Sequence, residues 1–145
     1  MLSLDIANNS RYGDLANQEI VNYWLSTVRT GQTIAVVGGP PCETWTALRL
    51  KEIRGERAPR PLRTAEEPWG ATGINLRETR QVDKANDLLR AMTAFMHAAV
   101  NYGAAAIMEH PEDPVWYSRT APSVWKLPAL AQLKQFEQVT VNSIH

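Results

Sequence analysis

Apolar residues recur along this chain at two spacings, and the changes between them divide it into elements. Leu2, Leu4 and Ile6 alternate with Ser3 and Asp5, which predicts a short strand. Asn8 to Gly13 has the chemistry of a turn. From Asn17 the period lengthens: Ile20, Val21, Trp24, Leu25 and Val28 recur at helical spacing, with Asn17 as N-cap and Gly31 as the stop. Thr33 to Val37 is β-rich and apolar on both faces, the pattern of a buried parallel strand. Trp45, Leu48 and Ile53 predict a short helix over 45–54. Residues 55–75 follow no period. Their prolines, glycines and arginines predict an irregular insertion, and such segments in a compact domain are functional or disordered.

The longest periodic stretch runs from Leu76 to Asn101. Asn75 with Glu78 three residues later resembles a capping box. Leu88, Leu89, Met92, Phe95, Met96, Ala99 and Val100 form the apolar face, and Tyr102-Gly103 ends the helix. Ala104 to Met108 predicts the next strand. Pro111 to Pro128 is a proline-marked loop holding Trp116, Tyr117 and Trp125; a short helix over 129–135 and a strand over 138–141 follow. The alternation β-α-β-α-β-α-β predicts a single α/β domain over residues 1–145, with a mostly parallel sheet and helices on both faces.

Composition narrows the function classes. A chain of 145 residues, 44% hydrophobic and 21% charged, can bury one core and is not compositionally disordered. Fifteen basic and fifteen acidic side chains cancel, which argues against a uniformly basic nucleic-acid binder but leaves room for one basic face. The candidates for phosphate contact are Arg49, Arg57, Arg60 and Arg63, around the insertion. Interleaved Glu52, Glu56, Glu66 and Glu67 make a solvated mixed-charge surface the alternative. Trp45 and Trp69 read as core residues or as platforms for a base. One cysteine cannot form an internal disulfide and fits a reducing compartment. No stretch approaches the ~18 apolar residues of a membrane span, and Met1 to Asp5 lacks the basic-then-apolar order of a signal peptide. Cytoplasm or nucleus is therefore expected, with no membrane partner and no metal site.

That single cysteine is the chemical focus. Cys42 follows the apolar run Ile34 to Val37 and a Gly38-Gly39-Pro40-Pro41 turn. This places a soft nucleophile on a tight loop after a strand, where α/β folds bind ligands. The second apolar run ends in Glu109-His110-Pro111. Pro41-Cys42-Glu43 and Ile107-Met108-Glu109-His110-Pro111 together resemble the catalytic Pro-Cys loop and Glu-Asn-Val segment of the cytosine-5 DNA methyltransferases, with histidine in place of the asparagine.

The resemblance, spanning roughly residues 2–112, implies a Rossmann-like methyltransferase core and S-adenosylmethionine as cofactor. It implies that Cys42 adds to cytosine C6 and that Glu109 holds or protonates the N3 edge, on a base taken out of a DNA duplex. Asp5 is similar to the acid that binds the cofactor ribose. Asp14, in Gly13-Asp14-Leu15, is similar to the aspartate at the adenine amine, and Gly39 and Pro40 fall where the loop borders the cofactor. The family's first strand and glycine-rich turn are not matched, Glu43 replaces a glutamine, and no Gln-x-Arg-x-Arg motif or target-recognition domain follows. The resemblance thus implies a fragment or degenerate form that needs a missing N-terminal part or a protein partner.

Each residue also has a plainer reading. Cys42 reads as a small core filler, Glu109 as the cap of a turn, His97 and His110 as packing residues, and Asp5 and Asp14 as ordinary turn acids. Two other functions stand beside methyl transfer. One is a non-catalytic descendant that binds nucleic acid or protein. The other is a cysteine hydrolase using Cys42 with His97 or His110.

Overall fold

A long helix carries a small parallel sheet on one side of its length. The structure, a computed structural model, describes residues 3–5, 7, 9–51 and 59–135. Helix α1 (Ser10–Gly13) is one turn, opened by the Asn9 side chain, which accepts from Arg11 N at 2.9 Å. Helix α2 (Gln18–Thr27) is capped by Asn17, which accepts from Glu19 N at 2.9 Å. A wide π-type turn over Val28–Gln32 then reverses the chain with Gly31 at φ 75°, a conformation that favours glycine. Strand β1 (Ala35–Gly38) follows, then a 3-10 turn over Ala47–Leu50 capped by Thr46.

Helix α3 (Leu76–Asn101) has the full capping box. Asn75 Oδ1 accepts from Glu78 N at 3.0 Å, and the Glu78 carboxylate accepts from Asn75 N at 2.8 Å. Gly103 at φ 79° turns the chain into strand β2 (Ala105–Met108). The strands pair in parallel, Ala35 opposite Ala105 through Gly38 opposite Met108. Two 3-10 turns (Pro114–Trp116 and Val124–Lys126) lead to α4 (Pro128–Ala131) and a final 3-10 turn over Gln132–Gln135.

The core lies on two sides of α3. Val21, Leu25 and Val28 of α2 and its turn pack on Ala91, Phe95, Ala98 and Ala99, with Val36 and Ala106 of the sheet against them. Leu89 packs with Trp45, Val124, Leu127, Leu130 and Leu133, with Met108 alongside. Burial of these side chains supplies the main drive to fold, about 25 cal/mol per Å² removed from water.

Three expectations change. Residues 3–5 form no strand; Asp5 Oδ1 instead accepts from Ala7 N at 2.7 Å and its carbonyl from Asn9 N at 3.0 Å, which curls the chain into a turn. The helix expected over 45–54 is the single 3-10 turn up to Leu50, and residues 52–58 lie outside the described residues. The sheet is buried on one face only. Val37 is 70% exposed and Ile107 55%, because α2, α3 and α4 contribute to the cores on the other side; Ile34, just before β1, is 88% exposed. The strand expected over 138–141 lies outside the described residues. What stands is a mixed α/β fold with a two-stranded parallel sheet among those residues. No described helix is long and apolar enough to cross a membrane.

Candidate functional site

The register of the sheet decides what meets at its carboxyl edge. Gly38 opposes Met108, and Glu109 N donates to Gly38 O at 3.0 Å. The residues leaving the two strands, Gly39 and Glu109, are therefore neighbours. A Cβ on Gly39 would lie 3.1 Å from Glu109 Oε2, so the carboxylate rests on this glycine. A Cβ on Gly38 would lie 2.6 Å from Met92 Sδ of α3. The two glycines thus serve close packing against a helix on one side and a carboxylate on the other. Pro40 is buried and Pro41 exposed. Cys42, partly exposed with a free thiol, opens a tight turn in which its carbonyl accepts from Trp45 N at 2.8 Å and Thr46 N at 3.0 Å. Gly38→Ala should lower stability by about 1–3 kcal/mol through overpacking of Met92, read as a shift in the urea midpoint. An unchanged midpoint would show that Met92 swings aside without cost.

Beneath that turn lies a buried cation. Arg63 is 1% exposed. Its Nε donates to Thr44 Oγ1 at 3.0 Å, Nη1 to Pro68 O and Asn86 Oδ1 at 2.7 Å each, and Nη2 to Val82 O at 3.3 Å. The guanidinium carbon lies 4.1 Å from the centre of the Trp45 ring. Asn86 in turn donates to Trp69 O at 2.8 Å. Arg63 so joins the cysteine loop, the insertion and α3. Desolvation lowers its pKa to about 10, partly opposed by Asp83, and it stays charged at neutral pH. Arg63 was expected on a phosphate-binding surface. The structure corrects this, because only a buried position lets the guanidinium fork reach all these acceptors at once. The sequence carried one signal, Asn86, a polar residue next to Ala85 on the buried side of α3.

Arg49 and Arg60 are engaged as well. Arg49 Nε donates to Glu43 O at 2.6 Å and Nη1 to Arg60 O at 3.2 Å. Arg60 is paired with Glu78, and its Nη2 also donates to Gly73 O at 3.4 Å. The Arg60 pairing and the Asn75 N–H hold the Glu78 carboxyl down at about 2. Arg57 lies outside the described residues. At the other end of the chain, Asp5 and Gly13 do come together: a Cβ on Gly13 would lie 2.6 Å from the Asp5 carbonyl carbon. Asp14 follows directly, its Oδ1 accepting from Ala16 N at 3.2 Å.

His110, beside Glu109, sits edge-on to both Trp45 and Trp125, with ring centres 6.3 Å from each. Burial pushes its pKa down to about 4; the Pro111 backbone works against this and the Arg63 charge with it. The folded state then binds fewer protons than the unfolded chain between about pH 4 and the ordinary histidine value near ~6.5. The neutral ring's contribution is complete above that value and is lost as pH falls through about 4. Unfolding stability should fall by up to about 2 kcal/mol across that window, allowing for the ring's partial exposure. His110→Gln should flatten the slope in a urea series; an unaltered slope would assign it to other groups. Glu78 adds a slope of the same sign below its ordinary value of 4.5.

His97 Nε2 is bonded to Ala129 O at 2.7 Å, and neither it nor His110 is hydrogen-bonded to the Cys42 thiol among the described residues. No group of three or more His, Cys, Asp and Glu side chains suited to a metal occurs among them either. The arrangement offers a carboxylate at the end of β2 beside Gly39 and a free thiol three residues further along the loop that leaves β1, with a buried guanidinium bonded to Thr44 of that loop. Comparison with known proteins finds no matching family model, no matching curated protein and no matching solved structure.

Proposed function

We propose that this chain is a Rossmann-like, methyltransferase-type domain that acts on C5 of cytosine in DNA through Cys42. The observation that carries the reading is the Glu109 carboxylate resting on Gly39, at the ends of adjacent parallel strands, with Cys42 in the same loop. The Cys42 thiolate adds to C6 and forms a C–S bond. The C5–C6 π pair moves toward N3, which takes a proton from the Glu109 carboxyl. C5 becomes enamine-like and accepts an electrophile; loss of the C5 proton then expels the thiolate and N3 returns its proton. When bound, S-adenosylmethionine supplies the methyl group. Asp5 and Asp14 fit the nucleoside end of that cofactor, since their segments touch at Gly13. No described residue is assigned to the methionine end, so a further segment or protein partner completes the site, and calorimetric titration should give affinity weaker than low micromolar.

The addition step is testable without cofactor, because C5 can take a proton from water instead of a methyl group. The full chain should release tritium into water from DNA carrying [5-³H]cytosine. DNA that is retained by the protein but never loses tritium would overturn catalysis and leave the non-catalytic, nucleic-acid-binding reading. Phosphate contact in this proposal falls on Arg57 and on Arg60, whose exposed pair with Glu78 is worth little and can yield to a phosphate. Retention should accordingly weaken steeply with salt.

A further inference from the structure

Between the end of β1 at Gly38 and the 3-10 turn that opens at Ala47 the chain is neither strand nor helix, and Cys42 lies within that stretch. Loop segments move unless bonds from elsewhere fix them. A nucleophile works only when held to within about 0.5 Å of its productive position. Here every residue from Cys42 to Thr46 is tied. The Cys42 carbonyl accepts from the backbone N–H groups of Trp45 and Thr46. The two residues directly after the thiol are each gripped by an arginine. Arg49 Nε donates to Glu43 O at 2.6 Å, and Arg63 Nε donates to Thr44 Oγ1 at 3.0 Å with its guanidinium over the Trp45 ring.

Both arginines also join this loop to the insertion. Thr46 caps the 3-10 turn by accepting from Leu48 N at 3.2 Å, and Arg49 reaches back from that turn to Glu43. Its Nη1 donates to Arg60 O of the insertion at 3.2 Å, while Arg63 belongs to the insertion itself. The insertion is fixed in turn on two sides. Arg63 donates to Asn86 and Val82 of α3, and Ala65 N donates to Thr120 O at 3.0 Å, in the loop that follows β2 and Glu109. A planar guanidinium can hold two acceptors at once in a fixed geometry, which an ammonium cannot do.

We infer that Arg49 and Arg63 are positioning residues for Cys42, and that the insertion braces the nucleophile's loop. The two arginines act through Glu43 and Thr44 and take no part in the bond changes. The inference rests on the reading of Cys42 as the nucleophile that adds to cytosine C6. It assigns to these two arginines the task of keeping the thiol in line with that carbon, where a displacement of about 1 Å costs roughly a hundredfold in rate.

Arg63 is too deeply buried to replace without weakening the whole fold. The test therefore combines Arg49→Met, at a partly exposed position, with Thr44→Val, which keeps the side chain's shape and removes the acceptor. In the full chain, ¹⁵N relaxation of the Trp45 and Thr46 amides should give order parameters near about 0.85 in the parent and below about 0.6 in the double variant, with α3 unchanged. A variant that is merely less stable stays ordered while folded, so loss of stability alone does not move this readout. Iodoacetamide should alkylate Cys42 at least roughly threefold faster in the double variant, as the thiol gains access. In tritium release from DNA, kcat should fall at least roughly tenfold with KM unchanged, and exchanging Val for Ser at position 44 (Thr44→Ser) should recover part of the loss. Unchanged order parameters in the double variant would overturn the inference, as would parental kcat from a loosened loop. A raised KM with kcat intact would return Arg49 to the DNA surface and overturn it as well. A parent that releases no tritium, with variants that loosen the loop and expose the thiol, would count against methyl transfer and still support the brace.

Discussion

Arg63→Met should destabilise the protein by about 3–5 kcal/mol, a large share of the ~5–15 kcal/mol that holds a typical domain together. The side chain is replaced by one of similar length, so lost volume is not the main cause. Thr44 Oγ1 and Asn86 Oδ1 lose their donor on buried residues, and each costs about 1–3 kcal/mol when unpaired; the part-buried Pro68 carbonyl loses its donor as well. The Trp45 face loses its cation as well. Arg63→Lys keeps the charge but not the fork, and should fall between the two. Arg60→Ala is the contrast. Its pair with Glu78 is solvent-exposed, so its loss should barely move the midpoint. Urea unfolding followed by tryptophan fluorescence measures all three. An Arg63→Met variant within 1 kcal/mol of the parent would mean the loop and α3 hold together without the guanidinium.

Cys42→Ser should abolish tritium release from DNA, a loss of at least roughly a thousandfold, because serine has no base bonded to it here and its alkoxide is inaccessible at neutral pH. Glu109→Gln keeps the shape and removes the proton donor, and should cost roughly 10²–10⁴-fold. Gly39→Ala should imitate it in part by pushing the carboxylate off its seat, the added Cβ arriving 3.1 Å from Oε2. Cys42 is a partly exposed loop residue, so Cys42→Ser should leave the unfolding midpoint near that of the parent. Exchange that survives in Cys42→Ser would remove the thiol from the chemistry. Exchange lost in Glu109→Gln with Cys42 alkylation by iodoacetamide unchanged would place the defect at the carboxyl and not at the nucleophile.

The parts of the fold legible in the sequence are those whose causes are local. Asn17 and Asn75 cap helices because a short side-chain acceptor reaches a backbone N–H two or three residues on. Gly31 and Gly103 turn the chain because they adopt positive φ. The apolar runs become β1 and β2, and their parallel pairing follows from the helix between them. The meeting of Gly39 and Glu109 at the carboxyl ends of the strands follows from that register.

Tertiary structure alone decided the fate of the charges and of the sheet's second face. The spacing of Arg49, Arg60 and Arg63 says only that they cluster. Which is buried depends on where the insertion folds back, and that is set by acceptors far along the chain: Thr44, Val82 and Asn86 for Arg63, Glu78 for Arg60. A guanidinium enters a core only where several carbonyl or amide oxygens converge, and convergence of that kind leaves no local pattern. Val37 and Ile107 read as buried because a continuous apolar run reports that both faces can be covered, whereas only the packing of α2, α3 and α4 determines which face is. Trp45, His110 and Ser123, distant in sequence, come together for the same reason: neighbours come from the fold, while sequence by itself determines only which groups need partners.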